Sequence, residues 1–124
     1  MELYAKLPIV THETFIQENI TPESMDQFCE SMFLLTTKNG TYKVGSMWGE
    51  FDLSYNKIKG GVRFSLLDCP NALAWTITTG YHEIKSEIQI HMIINRKDIK
   101  ENFEEELKDF LNEWKTGLAS QFNK

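Results

Sequence analysis

Alternation of apolar and polar residues dominates the middle of the chain. Phe51, Leu53 and Tyr55 alternate with Glu50, Asp52 and Ser54, and Val62, Phe64 and Leu66 alternate with Arg63 and Ser65. Leu73, Trp75 and Ile77 alternate with Ala74, Thr76 and Thr78. The longest period-two face runs Ile84, Ser86, Ile88, Ile90, Met92, Ile94, opposite Lys85, Glu87, Gln89, His91 and Asn95. Successive side chains of a strand point to opposite faces, so these segments read as half-buried strands. Asn39-Gly40, between residues 33–38 and 41–48, is a two-residue hairpin signal, because the favoured turns need positive φ at their central positions. Residues 56–61, 68–71 and 80–83 supply further turns. Connections this short join antiparallel neighbours, since a parallel pair needs a long crossover.

Two segments carry a helical period instead. Thr21 fits an N-cap, Pro22 the first helical position, and Glu23 the positive end of the helix dipole. Met25, Phe28, Cys29 and Met32 then recur at i, i+3, i+4 and i+7, which predicts a helix ending near Met32. A longer helix is predicted over residues 99–120, with Asp98 and Glu101 in a capping-box arrangement. Phe103, Leu107, Phe110, Leu111, Trp114 and Leu118 form its apolar side, and Gly117 reads as a local weakness or as fraying near its end. Residues 3–10 read as a first strand, held to an edge or ended by Pro8. Thr14, Phe15 and Ile16 predict a short strand or extended link over residues 13–18. The expected architecture is one α+β domain over residues 1–124. It is a curved antiparallel meander of about five to six strands, with a short helix in the N-terminal half and a long C-terminal helix packed on one face.

Composition narrows the class. The chain has 124 residues, 41% hydrophobic and 25% charged, a globular rather than a disordered balance. No apolar run approaches the roughly 18–20 residues of a membrane span, and the N-terminus shows no signal-peptide core. The expectation is a soluble cytoplasmic protein, with Cys29 and Cys69 as reduced thiols.

Candidate chemistry is sparse. His12, His82 and His91 have no metal-ligand spacing, and neither H-E-x-x-H nor C-x-x-C occurs. Cys69 lies in a turn without a local base or cation to activate it. The basic stretch Lys57-Ile58-Lys59-Gly60-Gly61-Val62-Arg63 lacks the spacings of nucleotide-binding loops. Glu50 and Asp52 share a strand face without a predicted cleft around them. The reading is therefore no enzyme, no metal and no cofactor.

Charge distribution carries the functional expectation. The net charge is −5, but residues 1–37 hold six acids against one base, and residues 98–124 hold seven against four. Acidic ends repel nucleic-acid phosphates and attract basic proteins. The chain thus reads as a small binding protein that neutralises or regulates a basic protein partner. In type it resembles immunity and inhibitor proteins, a toxin nuclease domain being one example of such a partner, with no role for nucleic acid or membrane. The expected contact strip is Glu104, Glu105, Asp109 and Glu113, joined by Glu23, Asp26 and Glu30. The alternative is a small-molecule binder. In the order of its elements the chain resembles a shortened helix-grip arrangement, with one clear helix near the N-terminus rather than two. That resemblance implies a helix-over-sheet cavity lined by Trp48, Trp75 and Trp114.

Overall fold

The computed structural model describes residues 1–38, 40–68, 72–79, 86–94 and 101–122. Strands β2 (Phe33–Lys38), β3 (Thr41–Ser46), β4 (Gly49–Ile58), β5 (Gly61–Leu66), β6 (Ala74–Thr79) and β7 (Ile88–Ile93) each pair antiparallel with the next. The first strand, β1 (Glu2–Leu7), lies against β7, giving the order β1-β7-β6-β5-β4-β3-β2. The sheet therefore has seven strands rather than five to six. Hairpin signals find the meander, whereas β1 has no neighbour in sequence and joins the sheet only through the last strand laid down. Pro8, which has no N–H for a ladder, follows the end of β1. At the β2–β3 hairpin Gly40 takes φ 78°, a value that side chains with a Cβ resist. Asn39 lies outside the described residues, as do Cys69, His82, Ile84, the turn at 80–83 and Asp98.

The segment predicted as a strand over residues 13–18 is helix α1 (Glu13–Asn19). Its β-branched and aromatic residues favour a strand locally, but Ile16 and Ile20, four apart, are both fully buried. Tertiary burial and caps outweigh propensity here. The His12 Nδ1 accepts the Phe15 N–H at 3.3 Å, and the Ile20 N–H closes the other end on Ile16 O. The next helix is a shorter and tighter element than predicted, a 3₁₀ segment over Pro22–Gln27. Its start is as read from the sequence. Thr21 Oγ1 accepts the Ser24 N–H and Ser24 Oγ accepts the Thr21 N–H, a reciprocal cap. Met25, Phe28, Cys29 and Met32 are all buried, although the helix has ended before the last three.

Helix α2 (Glu101–Phe122) closes the fold. Leu107, Phe110, Trp114 and Leu118 are buried in one core with Ile88, Ile90, Met92 and Ile94. The centre of that core is aromatic. Phe64 stacks on Trp75 at 5.3 Å, Phe110 meets Trp75 edge-on at 5.1 Å, and Trp114 lies 5.7 Å from Phe64. Both helices and the 3₁₀ segment contribute to this core, so they cover one face of the sheet. The other face is polar, with Asn56, Arg63, Thr76, His91 and Tyr4 in one cross-strand row. No helix among the described residues is long and apolar enough to cross a membrane.

Candidate functional site: an acidic groove beside the long helix

The chain leaving the 3₁₀ segment runs along α2, and Gly117 sets how near it comes. A Cβ on Gly117 would overlap the Phe28 carbonyl group, so only glycine permits this contact. Phe28 stacks on Trp114 at 6.1 Å and meets Phe122 edge-on at 5.9 Å. One turn earlier on α2, Glu113 reaches across to Ser31. Its Oε1 accepts the Ser31 N–H at 2.8 Å and its Oε2 accepts the Ser31 hydroxyl at 2.9 Å. Apolar stacking and a charge-assisted pair of hydrogen bonds thus hold the two elements side by side.

Between them lies a groove of about 500 Å³. Asp26, Gln27 and Glu30 form one wall, and Asp109, Asn112, Glu113 and Thr116 the other. Phe28, Cys29 and Gly117 lie between. Four carboxylates line the groove, and among the described residues no lysine, arginine or histidine does. Asp26, Glu30 and Asp109 are exposed, so their charges are available to a partner. The Glu113 side chain is half-buried and already committed to Ser31.

The expected contact strip therefore divides. Asp26, Glu30, Asp109 and Glu113, from opposite ends of the sequence, come together in the groove. Glu105 is exposed one turn before Asp109, at i, i+4 on the helix surface. Glu104 is half-exposed and paired with Lys108 at 3.7 Å. Glu23 lies outside the groove, close enough to Tyr55 to help burial raise that phenol's pKa. Glu106, in the same acidic run, accepts the Trp48 indole N–H at 2.7 Å.

Trp48, Trp75 and Trp114 occupy different surroundings from a cavity wall. Trp75 and Trp114 are fully buried, 6.1 Å apart and packed on Phe64 and Phe110. Among the described residues their indole N–H groups have no hydrogen-bond partner. Trp48 is half-buried against Phe103 and Phe110. None of the three lines the groove.

Burial, and secondarily the charge of Glu113, push the Cys29 thiol up to about 12. It is a neutral, unreactive group at neutral pH. The basic loop is no open cradle either. The Gly60 N–H donates to Glu13 at 2.9 Å, and Gln17 Nε2 donates to the carbonyls of Ile58 and Gly61. Asp52 sits opposite Lys43 in register, on the polar face of the sheet away from the groove. Among the described residues no three His, Cys, Asp or Glu side chains converge as metal ligands.

Sequence reasoning missed Ser31 and the true role of Gly117. Ser31 carries no local signal. An isolated glycine inside an otherwise helical pattern does point to a packing constraint, and Gly117 is such a case.

No family model matches the chain, and no curated protein matches it. Among solved structures, the crystal structure of an uncharacterized protein from Bacillus thuringiensis is similar over 96% of this chain and 99% of its own. Its TM-score is 0.61 at 11% sequence identity, a likeness of fold alone.

Proposed function

We propose that the protein is a small binding protein whose acidic groove receives a basic segment of a protein partner, neutralising or regulating it in the manner of immunity or inhibitor proteins. The observation that carries this reading is the convergence of Asp26 and Glu30 with Asp109 and Glu113 on one groove that no basic side chain among the described residues lines. Unpaired carboxylates held close together repel one another, and a lysine- or arginine-rich partner relieves that repulsion. A toxin nuclease domain is one partner of this chemistry, because such a domain is itself basic to hold nucleic acid. The groove is open rather than enclosed, which suits a side chain or loop inserted from a protein surface.

Affinity capture from the source cell tests the reading, with wild-type protein and the Asp26→Lys/Asp109→Lys double variant as baits. The expected result is a basic protein retained by the wild type, released by salt and absent from the variant. A partner retained equally by both baits overturns the assignment to the groove.

A further inference from the structure

The polar face of the sheet, opposite the helices, carries a second cleft of about 510 Å³. Its floor is built of short side chains. Thr76 and Thr78 lie there on β6, with Gly61, which has no side chain, opposite Thr78 on β5. Its walls are tall. Tyr4, His91 and Gln89 rise on the β1–β7 side, and Ile58 and Lys59 on the side of the β4–β5 turn. Enclosure between these walls leaves Thr78 only 6% exposed on a face that no helix covers.

Both walls are fixed. Tyr4 and His91 stack at 4.4 Å with planes 3° apart. The β4–β5 turn is held from two sides, because Glu13 accepts the Gly60 N–H and Gly60 O accepts the Thr79 N–H at 2.9 Å. Lys59 is thereby set at the end of β6, next to Thr78.

Part of the wall is already engaged, since the Tyr4 hydroxyl donates to Glu2 Oε2 at 3.2 Å and Gln89 Nε2 donates to Glu87 Oε1 at 3.0 Å. Thr76 and Thr78 present their hydroxyls on the floor, and among the described residues the buried His91 Nε2 has no hydrogen-bond partner. The nearest carboxylate oxygen, Glu2 Oε1, is 3.4 Å from that nitrogen. Among the described residues no carboxylate is part of the cleft lining, and Lys59 is. At the rim Lys6 is paired with Glu87 at 3.8 Å, whereas Lys59 and Arg63 have no ion-pair partner among the described residues. Arg63 stands beside Thr76 in register. Lys59 and Arg63 are thus the free charges near the cleft, whereas the Glu2 and Glu87 carboxylates are tied to Tyr4, Gln89 and Lys6.

We infer that this cleft is a binding site for a small organic anion, with its acid group between Lys59 and the threonine hydroxyls and its apolar body against Ile58 and the Tyr4–His91 stack. The volume suits such a ligand, small-molecule sites spanning roughly 300–1,000 Å³. The anionic head takes hydrogen bonds from the threonine hydroxyls, and Lys59 gives the contact the added strength of charge assistance.

Titration followed by backbone amide resonances tests the site, with benzoate and phenyl phosphate as probes and benzamide as the neutral control. Saturable shifts are expected at Thr76, Thr78, Gln89 and His91, with benzamide at least about tenfold weaker. The two anions separate carboxylate from phosphate preference. Lys59→Met weakens binding by about tenfold, and Thr78→Val, nearly isosteric and without the hydroxyl, weakens it as well. Absence of saturation by both anions, equal binding of benzamide, or shifts mapping to another surface overturns the inference.

Discussion

Both carboxylate oxygens of Glu113 are taken by Ser31, one by its N–H at 2.8 Å and one by its hydroxyl at 2.9 Å. The helix residue thereby caps the chain that forms the opposite groove wall, 82 positions away in sequence. Hydrogen bonds to charged groups contribute about 1.5–3 kcal/mol when buried, and less with partial exposure. Glu113→Ala is expected to cost about 1–2 kcal/mol in denaturant unfolding, because it leaves the Ser31 N–H unpartnered. Glu105→Ala, on an exposed stretch of the same helix, is expected to stay within about 0.5 kcal/mol. Equal effects for the two would mean that Glu113 does not tie the groove walls together.

Gly117 gives a sharper contrast between local and tertiary physics. In an exposed helix, glycine to alanine stabilises by about 1 kcal/mol. Here the added methyl meets the Phe28 backbone, which has no flexible end to move aside. Gly117→Ala is expected to destabilise by about 1–3 kcal/mol, the usual range for overpacking. A neutral or stabilised variant would show that the Phe28 segment yields easily.

Cys29 links the groove to pH. Its thiol is raised from 9.0 to about 12 in the folded protein, chiefly by burial. The unfolded chain therefore releases this proton first as pH climbs. Between pH 9.0 and about 12 the unfolded state binds fewer protons, so stability falls as pH rises. In a Cys69→Ser background, wild-type Cys29 should give a steeper loss of stability above pH 9 than Cys29→Ala. Its alkylation at pH 8 should be slow and should accelerate with denaturant, tracking opening of the fold. Rapid alkylation of the native protein would contradict the burial.

Much of the fold is legible in the residues. The period-two faces around Leu53, Phe64, Ile77 and Ile90 are the inward faces of β4 to β7, and the stripe Leu107, Phe110, Trp114, Leu118 is the buried side of α2. What escapes is tertiary. Residues 13–18 have strand-like composition and become α1 because Ile16 and Ile20 need one buried side. The stripe from Met25 to Met32 looks like a single helix, yet the helix stops at Gln27 and the rest is buried by following α2. The acids of the groove were identifiable as acids. The Glu104–Lys108 pair follows from i,i+4 spacing, but the division into groove carboxylates and the Ser31 tie depends on which side of α2 the Phe28 segment occupies, and no local pattern encodes that. The tryptophans read first as core and only second as cavity lining, because both are apolar surroundings.

Leu107 offers a check on that core. It is 1% exposed on the inward side of α2, and Leu107→Ala should cost about 2–5 kcal/mol by equilibrium unfolding. A cost under about 1 kcal/mol would mean that the helix is only loosely seated.

The groove itself is tested most directly by association kinetics with the captured basic partner, measured across a salt series. Asp26→Lys/Asp109→Lys should lower the on-rate at low salt by about tenfold or more and raise the off-rate, since both charges stand in the contact itself. Glu104→Lys/Glu105→Lys, outside the groove, should lower the on-rate alone, and the difference from wild type should shrink as screening shortens below about 8 Å. Circular dichroism should show both variants folded. A double reversal in the groove that leaves both rates unchanged, with no salt dependence in the wild type, would contradict electrostatic docking at this site.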